Sequence, residues 1–151
     1  MLLPIKRIVC PTDFSEPSYK GVEAANALAV SFKAALTLVN VVTPVHPVSA
    51  AGVPATYKIT EYYDEMTQLA RDHLDKLVAE KISHELDVQK TILTGNAAEE
   101  IVKLAESSKA NIIVIATHGW TGWRHLVFGS VAERVVRLAG CPVITIPSHP
   151  E

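Results

Sequence analysis

The chain has 151 residues, with 14 Lys and Arg set against 16 Asp and Glu. That length suits one domain, 1–151, with a core that needs no staples, and the near balance of charge marks neither a nucleic-acid binder nor a membrane-surface protein. No apolar run nears the ~18 residues of a membrane span. The opening MLLPIKRIVCP is interrupted by Pro4, Lys6 and Arg7 and reads as a first strand, not a signal peptide. Two cysteines, Cys10 and Cys141, fit a reducing, cytoplasmic compartment. One should end the first strand and the other begin the last, which in a parallel sheet leaves them too far apart to bridge.

Residues 5–11 predict a first strand, after which Thr12-Asp13-Phe14-Ser15 turn the chain. Ser15 suits a helix cap, with Glu16 and Pro17 in the first turn. The helix should run to Phe32 with Val22, Ala25, Leu28, Ala29 and Phe32 on its apolar face. Leu36 to Val42 is the second strand. Residues 43–55 hold Pro44, Pro47, Gly52 and Pro54 and predict a mobile loop or flap.

A long helix is expected from Tyr57 to Ser83, with Ile59, Tyr63, Met66, Leu69, Leu74, Leu77 and Ile82 at roughly helical spacing. Leu86 to Leu93 is the third strand. Thr94-Gly95-Asn96 form a turn, and Asn96 with Glu99 makes a capping pair for a helix to Ser107. Ile112 to Ala116 is an unbroken apolar run, as expected of a parallel strand covered on both faces. A glycine-bearing loop follows, with Gly119, Gly122 and Gly129. The last helix spans Ser130 to Leu138, stops near Gly140 and leads to a fifth strand, Pro142 to Ile146.

This alternation predicts an α/β fold of the Rossmann-like kind, an open parallel five-stranded sheet with helices on both faces and right-handed crossovers. Ligands of such sheets bind at the carboxyl ends of the strands, where the order reverses. In the order 3-2-1-4-5 that point lies between strands one and four. Pro11-Thr12-Asp13 then faces Ala116-Thr117-His118-Gly119 across a crevice. A strand feeding a glycine loop and a helix N-terminus suits phosphate, because the first-turn N–H groups lack internal partners and the helix dipole favours an anion.

Each of these residues also has a plainer reading. Asp13 can accept from ribose hydroxyls or simply bond its own turn backbone. Gly129-Ser130 can meet phosphate or merely cap a helix. His118 can touch phosphate, although a neutral loop histidine with a local hydrogen bond accounts for it as well. Trp120 and Trp123 more often cover a core edge than stack on a ligand. The six histidines show no metal-ligand spacing. GxGxxG, the P-loop and the GxSxG elbow are absent, and no serine or cysteine has a base assigned by local sequence.

Taken together, IVCPTDFSEPS, TLVNVV, ILTGNAAEEIVKLAE and IIVIATHGWTGWRHLVFGSVAERVVRLAGCPVITIP resemble the universal stress protein family over essentially the whole chain. Nucleotide-binding members carry a glycine, two residues, a glycine, nine residues and then Gly-Ser or Gly-Thr; here Gly119, nine residues and Gly129-Ser130 match. The resemblance implies an adenine nucleotide of the ATP type, with magnesium accompanying the phosphates. Asp13 would hold the ribose beside Pro11 and Thr12. The Val41 backbone would read the adenine edge, with Ile115 packed nearby. Gly119, Gly129, Ser130 and Val131 would cradle the phosphates, with Ala116 and His118 beside them. It also implies a homodimer paired through the exposed final strand.

Two positions depart from the pattern. Ala116 replaces its leading glycine, and Trp120 stands where relatives often carry a basic residue. If a positive φ is needed at Ala116, the methyl costs roughly 1 kcal/mol, and if a close approach is needed it clashes. The leading expectation is a nucleotide-responsive dimeric stress module without dedicated catalysis. The alternatives are a nucleotide-free scaffold of the same fold, favoured by Ala116, and a slow nucleotide hydrolase with Asp13 as its only nearby carboxylate.

Overall fold

In the structure, a computed structural model, residues 4–44, 55–118 and 128–147 are described. Strands and helices alternate within them: β1 (Arg7–Pro11), α1 (Glu16–Phe32), β2 (Ala35–Val42), α2 (Ala55–Lys81), β3 (Val88–Thr94), α3 (Ala97–Ser107), β4 (Ile112–Ala116), α4 (Ser130–Leu138) and β5 (Val143–Ile146). All pairings are parallel, in the order β3-β2-β1-β4-β5. The expected architecture is therefore borne out. The predicted flap lies largely in 45–54, and Gly119, Gly122, Trp120 and Trp123 in 119–127, outside the described residues.

The sheet divides the core in two, and alternation along each strand decides the side. Ile8, Leu36, Leu38, Ile112 and Val114 pack toward α1 and α2, against Val22, Ala25, Leu74 and Leu77. Val9, Val39, Ile113 and Ile115 pack toward α3 and α4, against Ile101, Val102, Ala132 and Val135. Every residue of β4 is buried, as its unbroken apolar run requires of a strand covered on both faces.

The helix starts follow their caps. Ser15 has an extended backbone and its hydroxyl accepts the Ser18 N–H at 3.3 Å. Asn96 accepts the Glu99 N–H at 3.3 Å, but the Glu99 carboxylate takes the Arg134 guanidinium at 2.6 Å, tying α3 to α4. The capping pair is thus one-sided.

Two expected core residues are exposed. Leu69 is 49% exposed because the buried stripe of α2 runs through Ala70, Leu74 and Leu77, spaced by four and three residues. Phe32 is 44% exposed at the end of α1, where Lys33 turns left-handed and closes the helix. Strand limits shift by one or two residues. At β1 the amides of Lys6 and Arg7 both donate to Asn111 Oδ1 (2.8 and 2.9 Å).

Candidate functional site

A cavity of about 340 Å³ opens at the carboxyl ends of β1, β2 and β4, on the α3/α4 side of the sheet. This lies at the lower end of the ~300–1,000 Å³ typical of small-molecule clefts. Its floor is apolar: Val39, Val41 and Ile115 rise from the sheet, and Ile101 and Ala132 descend from the helices. Its rim is polar, with Thr12 and Asp13 on one side and Thr117, His118 and Ser130 on the other. An apolar slot with a polar rim suits a flat ring bearing a charged tail.

The Asp13 loop is held from below. The Thr12 N–H closes the β1–β2 ladder on Val39 O at 2.9 Å. Ser18 Oγ donates to Ser15 O at 2.8 Å, so its contact with Thr12 Oγ1 at 2.9 Å must be donated by Thr12. Thr12 Oγ1 in turn accepts the Phe14 N–H at 3.1 Å. These bonds hold Phe14 at φ 63, an uncommon conformation for an aromatic residue. Asp13 Oδ1 accepts the Ser15 N–H at 3.0 Å and the Ser15 hydroxyl. The turn role of Asp13 is therefore real, and the exposed carboxylate also stands at the cavity rim.

Beyond Val39, strand β2 outruns β1. Asn40, Val41 and Val42 pair only with β3, and the Asn40 amide donates to Thr12 O at 2.9 Å. The β1-side backbone edge of β2 at Val41 therefore faces the cleft.

The opposite wall is built where β4 ends. Thr117 continues the sheet by donating its N–H to Ile146 O at 3.0 Å, and its hydroxyl meets His118 Nδ1 at 2.9 Å. This is the local bond expected of a loop histidine. Thr117 O accepts the Gly129 N–H. A Cβ on Gly129 would stand 2.9 Å from that oxygen, so glycine is required here by close approach, with φ at an ordinary −68. Gly129 caps α4 with no side-chain hydrogen bond, unlike Ser15 at α1 and Asn96 at α3. Ser130, Val131 and Ala132, the first turn of α4, line the cavity. A helix N-terminus that opens on the cavity without a side-chain cap fits a phosphate group.

Ala116 departs from expectation. Among the described residues only Phe14, Lys33 and Lys109 combine a side chain with positive φ, so Ala116 carries no such strain. Strand alternation turns its methyl to the α1 side, with Val114 and away from Ile115. There it lies 3.5 Å from the position a Gly21 Cβ would take. The methyl is behind the cavity wall, so neither feared cost applies.

Of the residues singled out in the sequence, Pro11, Thr12, Asp13, Val41, Ile115, Ala116, His118, Gly129, Ser130 and Val131 all lie on the cavity wall; Gly119 is outside the described residues. Ser18, Asn40, Ala97 and Ile101 also line it and were not anticipated. Asn40 had a readable signal as the one amide in the apolar run TLVNVV. Among the described residues no cluster of three or more His, Cys, Asp or Glu is arranged for a metal. No helix there is long and apolar enough to cross a membrane.

Comparison with known proteins gives the family and the fold. The model of the universal stress protein family matches residues 4–147. Universal stress protein MJ0531 of Methanocaldococcus jannaschii is 37% identical over 144 residues, covering 93% of this chain and 81% of that protein. Universal stress protein MJ0577 of the same organism is 26% identical, covering 97% of each. Its solved structure, aligned at 25% identity over 97% of this chain and 99% of that one, gives a TM-score of 0.83. A universal stress protein solved in complex with cAMP shares the fold, with a TM-score of 0.67 at 20% identity over 96% and 98% of the two chains. The chain belongs to the universal stress protein family.

Proposed function

We propose that the cleft binds an adenine nucleotide of the ATP type, and that the protein acts as a nucleotide-binding stress module in the cytoplasm. The observation that carries this reading is the junction of β4 and α4. Gly129 brings an uncapped helix N-terminus against Thr117, at one end of an apolar slot whose other rim holds Asp13. In this reading Ile115, Val39 and Val41 hold the base, with the exposed β2 edge at Val41 reading it. Asp13, beside Pro11 and Thr12, accepts from the ribose, and Ser130 and Val131 receive the phosphates with magnesium. Support in kind comes from the neighbour whose fold carries cAMP. The two free cysteines suit the compartment.

We also propose a homodimer through β5. That strand is an edge of the sheet, its four residues are only half-buried, and the preceding α4 exposes Val136 and Leu138. An unpaired apolar edge invites a second strand.

Titration of intrinsic tryptophan fluorescence tests the nucleotide reading. Trp120 and Trp123, the only tryptophans, sit in sequence between Gly119 and Gly129. Saturable change with Mg-ATP, absent in Asp13→Ala, is the expected result. Equal responses in both proteins would defeat the assignment of Asp13.

A further inference from the structure

Two glycines close on the carboxyl end of β4 from opposite sides of the sheet. On the cleft side, Gly129 meets Thr117 O, where a Cβ would stand at 2.9 Å. On the other side, Gly21 of α1 faces Ala116. A Cβ at Gly21 would stand 3.0 Å from the Ala116 amide nitrogen, 3.5 Å from the Ala116 methyl and 3.6 Å from the Ile115 carbonyl carbon. Gly21 is buried in the middle of a helix with no positive φ, so nothing about its backbone requires glycine. Mid-helix glycine is unfavourable relative to alanine, and the close approach of α1 to β4 is what it permits here.

We propose that Gly21 is a positioning residue for the phosphate end of the cleft, setting the depth at which the β4 exit sits and, through the Thr117–Gly129 hydrogen bond, the seat of the α4 N-terminus. The proposal rests on the nucleotide reading above. The tightest of these approaches is to the Ala116 backbone nitrogen; the Ala116 methyl would meet a Gly21 Cβ at an ordinary van der Waals distance of 3.5 Å.

A side chain at Gly21 forces the neighbouring strand end to give by a few tenths of an ångström. The sheet layer passes that shift to Ala116-Thr117 and so to the wall formed with Gly129, because packed interiors transmit strain. Of the contacts proposed for base and ribose, Val39, Val41 and Asp13 stand on β2 and on the loop after β1, off this path, and only Ile115 stands on it.

The test compares Gly21→Ala with Ala29→Gly, which alters the buried face of α1 away from the cavity, by calorimetric affinities for Mg-ATP and for adenosine and a thermal melt of each variant. Gly21→Ala should weaken Mg-ATP by about tenfold, in line with a moderate overpacking cost, and adenosine by no more than about threefold, because only Ile115 among its proposed contacts stands on β4. Ala29→Gly should lower the Tm through its mid-helix glycine yet leave both affinities within about twofold.

Equal loss of Mg-ATP and adenosine, no loss at all, or the same selective Mg-ATP loss in Ala29→Gly would overturn the proposal. Should Gly21→Ala not stay folded, the titrations are repeated with sucrose, which favours the compact state, and the same comparison decides. If the wild-type protein takes up neither ligand, the nucleotide reading fails and the positioning role with it.

Discussion

The carbonyl of Thr117 accepts the amide of Gly129, and a Cβ on Gly129 would stand 2.9 Å from that same oxygen. One close contact therefore joins the end of β4 to the start of α4. Gly129→Ala must break or stretch it, at a cost of about 1–3 kcal/mol for an overpacked site. Chemical denaturation measures that cost. Nucleotide affinity should fall by at least about tenfold as the first-turn amides move off the phosphates.

Asp13 has a turn role and a proposed ribose role that substitution can separate. Its Oδ1 accepts from the Ser15 N–H and hydroxyl. Asp13→Asn keeps an acceptor there, so stability should stay within about 0.5 kcal/mol. Affinity should fall by about tenfold or more, because an amide nitrogen replaces a charged acceptor for the ribose. Asp13→Ala should lose that affinity and also about 1 kcal/mol of stability. Paired urea melts and nucleotide titrations distinguish the two.

Cys10 is fully buried, and burial pushes its thiol from 9.0 up to about 12. Above pH 9 the unfolded thiol ionises while the folded one keeps its proton, so stability present below pH 9 is lost as pH rises toward 12. The slope is about 1.4 kcal/mol per pH unit for one proton. Urea melts from pH 8 to 10.5 should show this slope in the difference between wild type and Cys10→Ala. Parallel curves would refute it.

The fold was legible because its strands differ so plainly from their surroundings. Ile112 to Ala116 announces a doubly covered strand, and Ser15 and Asn96 mark helix starts that the structure reproduces. Loop residues of the cavity wall could be read because Asp13 and Gly129 sit directly beyond strand ends or before a helix. Contributions from across the sheet could not. Gly21 is one small residue in a helical pattern, and only its approach to Ala116 gives it meaning. Leu69 differs from expectation for a related reason: a period near 3.6 fits several neighbouring stripes, and contact with the sheet selects one of them.

That selection has a measurable consequence on α2. Leu74 is 1% exposed and belongs to the core between α2 and the sheet, whereas Leu69 is 49% exposed. Leu74→Ala should cost about 2–5 kcal/mol as a core truncation. Leu69→Ala should fall within about 0.5 kcal/mol of wild type. Similar costs in thermal or chemical melts would mean that the α2 stripe is wrongly assigned.

The most direct measurement is calorimetric titration of Mg-ATP, ADP and AMP into the wild-type protein and Gly129→Ala, at one protein concentration. The account predicts saturable binding of one nucleotide per chain to the wild-type protein, at least about tenfold weaker in the variant. Absence of heat for every nucleotide at several temperatures, or equal affinity in the two proteins, would contradict it.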